Sequence, residues 1–362
     1  MKLALVHDWL KNISGAERVL IELHKIFPQA PIYTLFYDKK FVWQWLPNAD
    51  IRASFLQKIP FIIKLYPLFA WLMPTAIESF DLSEFDRVLS SSAIFSKGLI
   101  LKPSTKHICY CYSPTRFLWD RNLNDQLSIY NYQWWRMIYK HLLRLWDRAA
   151  ADRVDQYIAI SKVVQDRIKK YYRRDSVVIY PPIGKLKIDS FNENCKLKIE
   201  NYYLIVSRLF PYKNIDIAIE AFNKLNYPLV IIGAGPDRAR LNKIAGKNVT
   251  FLGEQSDAAL AEYYASCRAF IMPQEEDFGL TPLEAMSFGK PVVALRRGGV
   301  LETVIEGQTG EFFDDPISEA LADAIRRLNE NYNSYNPETI KSHARLFSSE
   351  RFRDSIITLI NS

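Results

Sequence analysis

The sequence is short of cysteine, glycine and histidine, with 4, 13 and 5 in 362 residues. Four cysteines (Cys109, Cys111, Cys195 and Cys267) make no disulfide framework for a chain this long, which points to a reducing compartment. Cys109 and Cys111 share one face of a strand-like run, but no second pair completes a zinc site. No apolar run reaches ~18 residues, so no membrane-spanning helix is expected. The N-terminal run "MKLALV" breaks at His7-Asp8, too early for a signal peptide. There is no Asp-x-Asp to bridge a metal to a diphosphate and no full G-x-G-x-x-G for a dinucleotide. A cytoplasmic protein, soluble or peripheral, with no metal and no resident cofactor, is the expectation.

What is present is apolar and basic. Hydrophobic residues make up 49% and charged residues 24%, the composition of a globular protein. The length suggests two domains. The net charge of +7 is unevenly spread: residues 1–250 hold 37 Lys/Arg against 22 Asp/Glu, and residues 251–362 hold 10 against 18. The basic part either meets phosphates or anionic lipid, or is simply a solvated face. No nucleic-acid-binding module is recognisable, and no nucleic acid partner is expected.

Apolar runs alternate with helical patterns almost throughout. "KLALVHDW" reads as a buried strand, and "GAERVLIELHKIF" as an amphipathic helix with Val19, Leu20, Leu23 and Phe27 on one side. "PIYTLF", "DRVLSS", "HICYCYS", "QYIAIS" and "SVVIYPP" read as further strands. A second series runs "YYLIVS", "YPLVIIG", "NVTFLG", "RAFIMP" and "PVVAL", with helices such as "NIDIAIEAFNKL" and "DAALAEYYASC" between them. The polar stretch 181–201 separates the two series. The pattern predicts two doubly wound, Rossmann-like α/β domains with parallel sheets, residues 1–185 and 186–345. Ligands of such sheets bind beyond the carboxyl ends of the strands.

Four strand-to-helix turns carry candidate site residues. Ser14-Gly15 stands at a helix start, where a small residue lets backbone amides approach an anion. Arg208 and Lys213 follow the strand "YYLIVS"; "GAGP", with Gly233, follows the next and opens a helix at Pro236. The fourth turn is "EEDFGLTPLEAM", which sets Glu276 and Glu284 eight positions apart. Thr281, Pro282 and Glu284 fit a Thr-x-x-Glu capping box, so Glu284 is either a helix cap or a ligand contact, or both. Glu276 precedes the cap on a loop and has no such local duty. Arg and Lys suit a diphosphate, as a fork and a point charge. The two carboxylates suit sugar hydroxyls on either side of it.

Together, "SRLFPYKNID", "GAGP" and "EEDFGLTPLEAMSFGKPVVALRRGGVLETV" resemble the retaining glycosyltransferases of GT-B fold, the "glycosyl transferases group 1" family with its E-x7-E motif. The first domain also resembles that family in "HDWLKNISGAERVL", "CYCYSPTRFLWD" and "AISKVVQDRI". "SPTRFLWD" is most similar to bacterial surface-polysaccharide members, many of which use GDP-mannose. The resemblance implies two domains facing a central cleft, with a final helix, residues 346–362, packing back on the first. It assigns Arg208 and Lys213 to the donor diphosphate, Glu276 to the transferred sugar and Glu284 to the ribose. Gly15, Gly233 and the run Phe278, Gly279, Leu280 and Thr281 complete the donor side. Tyr112 and Arg116 fall on the acceptor or sugar side. Relatives often carry His where this chain has Tyr112, which is either a sugar contact here or a packing residue.

The implied reaction moves a sugar, mannose by preference, from a nucleotide diphosphate sugar to a glycan or polyprenol-linked glycan hydroxyl. Front-face attack, with a phosphate oxygen taking the acceptor's proton, needs no protein base. A noncatalytic nucleotide-sugar-binding partner subunit of the same fold is the alternative. Segments 55–74 and 130–148 mix Trp, Phe and Tyr with Lys and Arg. They suit an anionic membrane surface, hence the inner face of the cytoplasmic membrane, or else pack inside the first domain.

Overall fold

The computed structural model describes residues 2–120, 133–184 and 201–362. The chain divides into two compact units, Met1–Pro182 with Ser349–Ser362, and Ile183–Ser348. Residues 185–200, most of the polar stretch separating the two strand series, lie outside the described residues, as does Cys195.

The first unit holds a seven-stranded parallel sheet in the order β3-β2-β1-β4-β5-β6-β7. Its strands are β1 Leu3–His7, β2 Ile32–Thr34, β3 Ile51–Ala53, β4 Arg87–Ser92, β5 Lys106–Cys111, β6 Gln156–Ala159 and β7 Ser176–Val178. The second unit holds a six-stranded parallel sheet, β10-β9-β8-β11-β12-β13. It comprises β8 Tyr203–Val206, β9 Leu229–Ile232, β10 Val249–Gly253, β11 Ala269–Met272, β12 Val292–Leu295 and β13 Gly310–Phe313. Both sheets are doubly wound. The winding reverses between β1 and β4 in one and between β8 and β11 in the other.

Central strands are buried end to end, as "LALVH", "LVII", "AFIM" and "VVAL" show, because helices cover both faces of a parallel sheet. Each such Leu, Ile, Val or Phe contributes about 1.5–3 kcal/mol over its exposed state. The edge strands β3 "IRA" and β13 "GEFF" are additions to the sequence expectation. The helix Ser349–Asn361 belongs to the first unit, with Phe352 edge-on to Tyr110 of β5 at 5.8 Å.

Two local expectations are corrected. The helix after "GAGP" opens at Arg238 rather than Pro236, since Pro236 and Asp237 form a turn first. The helix carrying Glu284 spans Leu280–Ser287 and is capped by Gly279, not Thr281. Gly279 has φ of 88°, a turn that starts the helix two residues early and leaves no Thr-x-x-Glu box.

Candidate active site

The second sheet's switch point lies at the carboxyl ends of β8 and β11, and the sequence sends its site residues there. Arg208 follows β8 and is exposed, its guanidinium 5.6 Å from the Phe210 ring centre. A 3-10 turn, Pro211–Lys213, then turns Lys213 inward, and Lys213 is 6% exposed. Its ammonium donates to the Glu276 carboxylate on the loop after β11. Gln274 Nε2 donates to the same Glu276 oxygen at 3.3 Å, and Asn214 Nδ2 ties the two loops by donating to Pro273 O at 3.2 Å. Glu276 is therefore not an unattached loop carboxylate: it is the counter-charge of a buried lysine.

The backbone of Glu276 is held as well. It bridges Gly298 as a short parallel pairing, and Gly299 N donates to Glu276 O at 2.8 Å. Beyond it Phe278 is buried against Phe347, ring centres 5.8 Å apart. Leu280 and Thr281 form the first turn of the helix that follows. The first N–H groups of any helix have no partner within it, and the dipole makes that end positive, a setting that favours a phosphate.

Glu284 lies one turn further in and is buried, and its Oε2 accepts from the Tyr264 hydroxyl at 2.8 Å. Gly233, with φ of 133°, follows β9. A Cβ there would stand 1.9 Å from Ser207 O, so only glycine lets this loop lie against the one carrying Arg208. Leu209 N donates to Ala234 O at 2.9 Å, which fixes that contact.

In the first unit the helix Gly15–Ile26 starts beside the β1 and β4 ends, with Ser14 as its N-cap. Tyr112 sits here: its hydroxyl donates to Ala16 O at 2.9 Å and meets Ser91 Oγ at 2.8 Å. Burial, eased by the Ser91 bond, pushes this phenol well above its ordinary pKa. Ser91 Oγ also bonds His7 Nδ1 at 3.0 Å, while His7 Nε2 lies 3.6 Å from Glu17. Burial pushes the Glu17 carboxyl up, but His7 and Ser14 outweigh it and hold it below the ordinary value. Tyr112 is thus tied by a polar network to the helix start that holds Gly15. Arg116, at the start of the short helix Arg116–Trp119, pairs with Asp120 at 3.5 Å.

That loop is anchored by Asp147. Its carboxylate accepts from Thr115 Oγ1 at 2.6 Å, Trp119 Nε1 at 2.8 Å and Tyr172 OH at 2.8 Å, and pairs with Lys97 Nζ at 2.6 Å. Burial opposes the Lys97 charge, but Asp147 prevails and raises its pKa. Among the described residues, no group of three or more His, Cys, Asp or Glu is arranged to hold a metal ion.

Residues 187–345 match the sequence profile of the family Glycosyl transferases group 1. That segment belongs to the group 1 glycosyltransferases. The chain is 27% identical over 215 residues to an uncharacterized glycosyltransferase of Methanocaldococcus jannaschii, covering 58% of this chain and 60% of that one. It is 25% identical over 377 residues to the alpha-1,3/1,6-mannosyltransferase ALG2 of Candida glabrata, covering 85% and 79%. Among solved structures, Anabaena HepE in complex with UDP aligns over 100% of both chains with a TM-score of 0.73 at 20% identity. The fold is GT-B, with its two Rossmann-like parallel-sheet domains.

Several features of the site and its surroundings escaped the sequence. The Lys213–Glu276 pair joins residues 63 apart, and no local pattern announces it. Gly298-Gly299 was visible as a glycine pair after a strand, the one signal that its loop packs closely on another backbone. Asp8, at 3% exposure, takes four amides in its carboxylate, those of Ala93, Ile94, Phe95 and Ser96, at 2.7–2.9 Å. Its position directly after a buried strand was its only sign.

Proposed function

We propose that this protein transfers one mannosyl residue, with retention, from GDP-mannose to a hydroxyl of a glycan or polyprenol-linked glycan, in surface-polysaccharide synthesis at the inner face of the cytoplasmic membrane. The observation that carries the proposal is the convergence of Arg208, Lys213, Glu276 and a helix N-terminus on the β8/β11 switch point. Similarity to proteins named as mannosyltransferases supports the choice of sugar.

In this reaction the bond between the anomeric carbon and the phosphate oxygen breaks. The acceptor oxygen bonds to that carbon on the same face, and its proton passes to a phosphate oxygen. Arg208 and Lys213 supply the charge that the departing diphosphate needs, without reorganisation, together with the amides at Leu280 and Thr281. Glu276 serves twice: it holds the ammonium of Lys213 in place and offers an acceptor oxygen to a sugar hydroxyl. Glu284, oriented by Tyr264, is suited to the ribose.

A panel of nucleotide sugars scanned for thermal stabilisation tests the donor, since a ligand of the folded state raises its melting point. GDP-mannose should stabilise most and be consumed when a glycan acceptor is added, and Arg208→Ala should abolish turnover in a folded protein. A larger shift with a uridine nucleotide sugar would replace the donor. Binding without hydrolysis or transfer across acceptors would point instead to a noncatalytic nucleotide-sugar-binding subunit.

A further inference from the structure

Residues 51–77 of the first unit contain Arg52, Lys58 and Lys64 and no carboxylate. The structure breaks the central part into short helical turns, Phe55–Lys58, Ile62–Leu65 and Tyr66–Leu72, which run into Met73–Glu78. Leu56, Ile62 and Met73 are buried and pin the segment to the unit's core. The outward side is unusual for a protein surface. Phe61 is 76% exposed, Leu68 68% and Trp71 62%, with Leu65 and Phe55 also exposed. A clustered run of large apolar side chains marks an interaction surface, whereas single exposed ones carry no such message.

Phe61 adds an independent sign. It adopts φ of 59°, a left-handed conformation that costs a bulky residue on the order of 1 kcal/mol. Such strain persists where the surroundings over-determine it, and here it presents the ring outward between Pro60 and the buried Ile62. Lys58 and Lys64 are exposed on the same segment. Aromatic and aliphatic side chains beside lysines, with no acidic residue among them, complement a surface that is apolar beneath and anionic at its rim.

We propose that residues 55–72 dock on an anionic membrane surface. Phe61, Leu68 and Trp71 enter the boundary between headgroups and acyl chains, and Lys58 and Lys64 face lipid phosphates. The neighbouring helix Gln133–Asp152 packs Leu143 on the same core and exposes Met137, Leu142 and Leu145, but the docking surface does not require it. The inference rests on the exposed face of the first unit and is independent of donor, sugar and transfer.

The test is flotation of the full chain with phosphatidylglycerol-containing vesicles and with pure phosphatidylcholine vesicles, at low and high salt. The wild type should float with the first at low salt and much less with the second. Phe61→Ser, Leu68→Ser and Trp71→Ser combined should lose about tenfold or more in vesicle binding. Lys58→Glu with Lys64→Glu should remove the preference for phosphatidylglycerol. Both variants should keep the wild-type melting temperature. Equal flotation with both lipids, or variants that bind like wild type, would overturn the proposal. So would a wild-type dimer that the triple substitution splits, which would make this face a contact between copies of the chain.

Discussion

Removing Glu276 should do two separable things. Lys213 has a side chain only 7% exposed, whereas Glu276 is 24% exposed, so the pair is asymmetric in its access to water. Glu276→Ala strands a buried ammonium that lies 5.1 Å from the Tyr212 ring centre. Breaking a buried pair from one side costs about 3–5 kcal/mol, and the partial exposure of Glu276 reduces this to about 2 kcal/mol. For a unit of this size that lowers its melting point by roughly 4–8 °C. Lys213→Met leaves the better-hydrated partner and should cost about half as much. The double substitution, which leaves no stranded charge, should be more stable than Glu276→Ala alone. Differential scanning calorimetry on the four proteins gives this cycle directly. Transfer should fall in all three variants. Nucleoside diphosphate binding should survive or strengthen in Glu276→Ala, because Lys213 has lost its competing carboxylate. A Glu276→Ala protein as stable as wild type, or a double variant no better than the single, would refute the account of the pair.

Other outcomes follow from the same structure. Gly233→Ala should destabilise the second unit by about 3 kcal/mol, because its Cβ meets Ser207 O at 1.9 Å; it should also raise the donor KM by displacing the Arg208 loop, and chemical denaturation with steady-state kinetics would read both. Asp147→Asn should cost the first unit about 3 kcal/mol by leaving Lys97 buried without its counter-charge; an unchanged unfolding midpoint would contradict this. His107 is pushed down to about 4 by burial, against the pull of Asp155. The unfolded chain therefore takes up a proton below about pH 6.5 that the folded chain refuses until about pH 4, and stability should fall across that window by about 3 kcal/mol. Denaturation midpoints at several pH values check it, and His107→Gln should flatten the slope.

The parallel sheets were legible because strands buried on both faces read as unbroken apolar runs, from "LALVH" to "VVAL". Two of the four edge strands, β3 and β13, escaped because "IRA" and "GEFF" are short and carry an arginine and a glutamate. At the site, the turns that bear Arg208, Gly233 and Glu276 could be read from strand–loop–helix order alone. Their mutual contacts could not, since Lys213 and Glu276 come from opposite sides of the winding reversal. The Thr281-x-x-Glu284 spacing misled for a local reason. A helix start depends on the φ of the residue before it, and Gly279 supplies that turn earlier than a threonine cap would.

Asp8 has a consequence for how the two units differ. Four consecutive amides, those of residues 93 to 96, converge on its two oxygens. Successive N–H groups aimed at one point form the concave arrangement that many proteins use to seize phosphate. Here the chain fills that concavity with a carboxylate of its own, an internal counter-anion built in at the switch point of the first sheet. The loop after β4 is thereby made stiff and electrically quiet. Two sheets of nearly the same winding are left unequal: one has satisfied its anion-seeking turn from within, and the other carries Arg208 and a helix N-terminus at its own switch point.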